Sequence, residues 1–448
     1  MWPFKKVKPG IAFEKTENGA VLTRYSGEDE AYIIPDEYEN LPVTEIAANA
    51  FKDAKRLKAV YMGKNIQKIG KKAFSGCAEN LSLVLNESAE RQEGALIGCK
   101  SIYYETDSGL TLVSYAGHET DIVLESECFH RPVTAVGEKV FYMFAYLKSV
   151  SLPKSLLSIG QAAFAGCSDL TDIVFPPCME EIGNEAFLKS GLTSVTVPES
   201  MKTVGEKAFF ACEDLKTAVF KGKNTAIGAA AFAKCALTGV TLPENLTELQ
   251  SEVLRENKSL TSLTIPKSVE AVWEYALADT SLERIELPDA CEVIGEGAFS
   301  GSKALKEVRF SRAVREIGPS ALSFCPQLSS LYLPCPRFEV SDSLLIDTQS
   351  KTVLACISNL SGENLAVPDG VKSVSDCAFA GNENIKNLVL PESVVYAGVW
   401  AFRDMKNLNT LEIRSDKITF GDSPLFGSEP EYLICEDHIH ELLESFIA

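Results

Sequence analysis

Apolar positions in this chain recur in one spaced pattern, clearest from Leu147 to Leu170, LKSVSLPKSLLSIGQAAFAGCSDL. Written out it is L-x-x-V-x-L-P-x-x-L-x-x-I-G-x-x-A-F-x-x-C, and Leu170 starts the next copy. Leu147, Val150 and Leu152 fit a short strand whose apolar side chains turn inward. Pro153 closes it, because proline has no backbone N–H to give a ladder. Leu156 and Ile159 return to the core, and Gly160 is expected to permit a tight corner. Ala163 and Phe164 then send one small and one large side chain inward, and Cys167 completes the coil.

The Ala-Phe step returns at Ala50-Phe51, Ala73-Phe74, Ala186-Phe187, Ala208-Phe209, Ala231-Phe232, Ala298-Phe299, Ala378-Phe379 and Ala401-Phe402, and in weaker form at Ala95-Leu96, Val140-Phe141, Val253-Leu254, Ala276-Leu277 and Ala321-Leu322. Neighbouring steps lie 22 or 23 residues apart wherever nothing is inserted. A single coil of this kind cannot bury its own apolar face, whereas stacked coils can, so a fixed period of this length predicts a solenoid. The count predicts one elongated array of about fourteen coils.

Three longer units punctuate it. In residues 13–51, the alternation of Ala20 to Tyr25 and again around Tyr32-Ile33-Ile34, with Ser26-Gly27 between, predicts a β-hairpin feeding a coil. The same unit returns at 103–141, with Thr16, Gly19, Leu22, Tyr25 and Gly27 matched by Thr106, Gly109, Leu112, Tyr115 and Gly117, and Pro42-Val43-Thr44 by Pro132-Val133-Thr134. A shortened copy spans 344–379. These units are read first as starting or restarting the stack, with a binding role for protruding hairpins as the alternative. The coils from 142 to 334 are the most regular, and 81–101 is degenerate. Residues 1–12 form a lead-in whose Trp2 and Phe4 are expected to cover the first coil. Residues 13–430 form the solenoid. In 431–448, Ile439, Leu442, Leu443 and Phe446 have helical spacing and predict an amphipathic cap on the last coil.

The net charge of −19 opposes binding to nucleic acid or anionic membrane surfaces. No apolar run approaches the ~18 residues of a membrane span, and no signal peptide is visible after MWPFKKVKPG. Thirteen cysteines include no C-x-x-C pair. Cys77, Cys99, Cys167, Cys212, Cys235 and Cys325 stand four residues after the alanine of the corner step, where other coils carry Ser190, Asn257, Thr280, Ser302 or Asn382. That column asks for a small buried side chain able to bond a neighbouring backbone, and this reading outweighs disulfides or zinc. The four histidines, His118, His130, His438 and His440, offer one metal-like cluster, His438-x-His440, whose members point apart on a helix. No phosphate loop, dinucleotide fingerprint or nucleophile elbow is present, so no cofactor, metal or catalytic residue is assigned.

The corner string resembles the BspA-like leucine-rich repeats of bacteria and some protozoa, from about Phe13 to about Phe426. The resemblance implies a leucine-rich-repeat right-handed superhelix, a repeat solenoid with short parallel strands on its concave face. It also implies a non-enzymatic binding role, often at the surface of bacteria that contact host proteins or other cells.

Alternate strand positions point out of that face. From Ser151 to Thr264 the outward column is small and β-branched. It then changes, and Glu283, Arg284, Glu286, Glu307, Arg309 and Tyr332 are expected on three adjacent strands. Arginine and tyrosine are favoured at interfaces. The competing account is plain cross-strand ion pairing such as Glu286 with Arg309. The function predicted is a binding or adhesion scaffold for a protein or glycan partner. The alternatives are an intracellular structural or assembly scaffold, suited by free cysteines, and an undetected hydrolase, which would need a deep pocket with converging carboxylates or histidines. Localisation is left between cell surface, by resemblance, and cytoplasm, by the missing signal.

Overall fold

The computed structural model describes residues 10–357 and 360–447. Trp2 and Phe4, assigned to the lead-in, lie outside the described residues. The chain divides into two compact units, residues up to Ala186 and residues from Phe187 onward. Each is a stack of β-solenoid coils, about 18 turns in all.

An ordinary coil has two strands. In the second unit, Ser194–Val197 is a face strand, alternately exposed and buried, and pairs in parallel with Thr217–Phe220 of the next coil. Pro198 ends it, and a two-residue strand, Thr203–Val204, pairs with Ala226–Ile227. The corner follows. Phe209 N–H donates to Ala231 O of the next coil at 2.8 Å. The rings of Phe209 and Phe232 stack at 5.1 Å and those of Phe187 and Phe209 at 5.3 Å, all fully buried. Such pairs each add about 0.5 to 1.5 kcal/mol beyond their burial.

The small-residue column behaves as its composition predicts. Cys212 Sγ donates to Phe187 O at 3.1 Å and Cys235 Sγ to Phe209 O at 3.2 Å, each reaching the carbonyl of the preceding corner. Asn257 does the same with its amide, at 2.8 Å from Phe232 O. In the first unit Cys77 and Cys167 bond Phe51 O and Phe141 O.

The corner glycine has a different reason from the one expected. Left-handed backbone falls instead on Ala162 (φ 50°) and Gly166 (φ 76°), two and six residues further on. A Cβ on Gly160 would lie 2.8 Å from Gly137 C and 2.9 Å from Glu138 N. Glycine is needed there so that successive backbones can close up.

The hairpins also differ from expectation. The first is Ile11–Thr16 against Gly19–Tyr25, turning at Glu17-Asn18, whereas Ala31–Ile33 joins another sheet, parallel to Ala59–Tyr61. The second is Cys99–Thr106 against Gly109–Tyr115. It is built into the stack, with Leu81–Leu85 on one side and Arg131–Val136 on the other. The third unit is a meander, Phe338–Ser341, Leu344–Asp347 and Thr352–Cys356, continuing to Ser373–Val374. The hairpin strands take corner places that the Ala-Phe count omits. Tyr25 N–H donates to Ala50 O at 2.7 Å, as a corner phenylalanine would, and its ring stacks on Phe51 at 5.1 Å. The degenerate stretch begins on a core strand, all five residues of Leu81–Leu85 being buried, and then turns outward at Glu90–Arg91.

The C-terminal helix, Asp437–Ile447, buries Ile439 and Leu443 against the last coils, with Phe446 packed beside them. Leu442, expected on that face, is exposed. Among the described residues no helix is long and apolar enough to cross a membrane.

Gly160→Ala is expected to cost about 1 to 3 kcal/mol in urea unfolding, the usual range for overpacking, whereas Gly239→Ala, with nothing within 4 Å of its added Cβ, should be neutral. Asn257→Ala strands the Phe232 and Leu254 carbonyls and the Leu237 N–H. It should cost about 1 to 3 kcal/mol by the same measurement.

Candidate functional site

The charged strand face lies within the second unit. Arg284–Glu286, Glu307–Arg309 and Ser330–Tyr332 pair in parallel and in register, so that Arg284 stands beside Glu307, and Arg309 between Glu286 and Tyr332. Alternation decides what each side chain does. Ile285 and Val308 turn in and are buried, which leaves their neighbours pointing out.

Glu283 lies just outside the strand. Its carbonyl accepts from Lys306 N–H at 2.8 Å and its carboxylate pairs with Lys306 Nζ at 3.0 Å. Arg284 reaches Glu286 Oε2 at 3.5 Å within its own strand and Glu307 Oε2 at 3.6 Å across strands. The anticipated Glu286–Arg309 pair is therefore replaced by Arg284–Glu307, because Glu286 is drawn back toward Arg284. Arg309 lies over the Tyr332 ring, 4.7 Å from its centroid, with Glu307 Oε1 at 3.7 Å. Tyr332 is half exposed. Exposed pairs at these separations contribute little stability, about 0 to 1 kcal/mol each, so the fold has small need of them. Lys306 belongs to this surface and was missed. Its signal was the in-register position beside Glu283, one residue before the strand.

Other candidates scatter. His438 Nε2 contacts Asp416 O at 3.2 Å. His130 Nδ1 lies 3.7 Å from Glu127 Oε1 in the first unit, well exposed. Among the described residues no group of three or more His, Cys, Asp or Glu is placed to hold a metal ion. The column thiols are poor nucleophiles: burial pushes Cys167 and Cys325 up to about 12 and Cys212 to about 11. A thiol reacts as its thiolate. In the native protein at pH 8, Ellman's reagent should leave Cys167, Cys212, Cys235 and Cys325 unmodified and titrate them on unfolding. Fast labelling of all four in folded protein would contradict this burial.

The family model described as the BspA type leucine-rich repeat region matches residues 38–114, 134–261, 225–352 and 354–444, well over half the chain. None of the curated proteins matches. Among solved structures, a leucine-rich repeat protein from Bacteroides ovatus is 18% identical, with 95% of this chain and 92% of that one covered and a TM-score of 0.46. A leucine rich cell surface protein from Faecalibacterium prausnitzii is 20% identical, with 94% and 78% covered and a TM-score of 0.33. The pneumococcal vaccine antigen PcpA is 15% identical, with 98% and 95% covered and a TM-score of 0.31.

Proposed function

The chain belongs to the BspA-type leucine-rich repeat family, and from that premise we propose that it is a binding scaffold, without catalysis of its own, that takes a protein or glycan partner on the strand face of the second unit. The observation that carries the reading is the outward row of Arg284, Glu286, Glu307, Arg309 and Tyr332 on three in-register strands. Arginine and tyrosine dominate interface energetics, and a patch of mixed charge fixes a partner's orientation more than its affinity. Display on a bacterial cell surface is part of this proposal. A second reading, an assembly scaffold inside the cell, is favoured by thirteen unpaired cysteines, ten of them buried.

Arrays of purified proteins and of glycans, probed with the full chain and with Arg284→Ala/Arg309→Ala/Tyr332→Ala, test the site. Partners of the native chain should bind the variant at least tenfold more weakly, at an unchanged unfolding midpoint. Equal binding by both would remove the site, and no reproducible partner on either array would count against the scaffold. Protease treatment of intact native cells separates the two locations: digestion supports display, and protection supports the assembly reading.

A further inference from the structure

The strand face is finished differently beside the second and the third hairpin unit. In the first unit the chain covers the face with its own turn. Glu127–Cys128 pairs with Arg131–Pro132, and the turn between them holds Phe129 and His130 in left-handed backbone, φ 53° and 61°. A phenylalanine in that conformation is an outlier that the surroundings must hold. They do. The Phe129 ring meets Tyr61 edge-on at 5.7 Å, Arg131 pairs with Glu105 at 2.5 Å, and Glu125 accepts from Ser82 Oγ at 3.1 Å. Beneath it, Ser82, Val84, Ser101 and Tyr103 are all buried, although Val84 and Tyr103 stand in register with outward-facing Tyr61.

The third hairpin unit has no such turn. In the first two units Val43 N–H bonds Asp36 O and Val133 N–H bonds Ser126 O, each closing a turn, whereas Val371 N–H bonds Pro368 O directly. No turn of that kind covers the strand face beside this unit. Among the described residues no strand pairs with the outer edge of Ser330–Tyr332. Leu331 and Leu333, on that edge, are only half-buried, where Ile285 and Val308 are fully buried. The Arg309 guanidinium makes no hydrogen bond among the described residues, its nearest carboxylate oxygen being 3.7 Å away. Placed over the Tyr332 ring, its guanidinium keeps five donors in a fork that fits a carboxylate bidentately.

We infer that this opening takes a loop of a partner protein carrying an aspartate or glutamate next to an aromatic or aliphatic side chain, laid over the strands as the chain's own turn is laid in the first unit. The carboxylate seats on Arg309, and the apolar neighbour covers Tyr332 and the Leu331–Leu333 edge. The inference rests on the binding role proposed above and narrows it to one partner chemistry.

The probe is a phage-displayed library of disulfide-cyclised seven-residue loops, selected on the full chain. Enriched loops should pair Asp or Glu with an adjacent aromatic or aliphatic residue. A synthetic loop of that consensus should lose at least tenfold in affinity with Arg309→Ala, Arg309→Lys or Tyr332→Ala, at an unchanged unfolding midpoint. Exchange of the Leu331 and Leu333 amides should slow when it binds. Failure to enrich any loop, enrichment of loops without a carboxylate, or binding indifferent to Arg309→Ala overturns the inference. If a glycan on the array loses binding in the triple variant while loops fail, the face remains a binding site and only the loop chemistry falls. If neither is affected, the binding role falls with it.

Discussion

Everything in this fold depends on polar backbone at the corners being satisfied by the neighbouring coil. Phe209 gives its N–H to Ala231 above, and the Phe209 carbonyl takes the Cys235 thiol from the same coil. A coil on its own would leave both bare while also exposing its phenylalanine, and buried backbone groups are almost never left unpaired. Stability therefore resides between coils rather than within them. The same dependence explains why the face is a flat ladder of short strands: each contributes two outward side chains, and a patch exists only where consecutive coils agree.

The repeat pattern carried the architecture openly. Phe51, Phe164 and Phe232 are where the Ala-Phe step puts them, and the cysteine column bonds the carbonyls its small side chains were suited to reach. The hairpins were harder. Tyr32-Ile33-Ile34 alternates like a hairpin partner, but the tight turn lies earlier, at Glu17-Asn18, with Gly19 in left-handed backbone opening the return strand. The strand at Ala31 follows its neighbour Ala59 instead. The charged face was legible as positions, because alternation and register assign them, but not as partners. Whether Arg284 or Arg309 captures Glu307 is a competition between long flexible side chains, and sequence spacing does not resolve that. The burial of Ser82 and Tyr103 under the 125–131 turn was invisible for the same reason, since it joins residues on strands far apart in the chain.

The corners adopt left-handed backbone whatever side chain stands there: Lys207, Glu252, Tyr275, Ser320 and Trp400 all do so at positions where glycine would be easiest. Their conformation goes with stacking rather than with the local residue: Lys207, Glu252, Tyr275 and Trp400 each give their N–H to a carbonyl of the next coil, at Ala229, Glu274, Glu296 and Asp422. Those sites are thus open to mutational drift, and a duplicated coil inherits its bends from the coil it lands on. An array built this way can lengthen by copying whole segments, hairpin included, and the matched hairpins at Gly19 and Gly109 have the likeness such a copy would leave, while the outward positions of each copy are released to diverge into new surfaces.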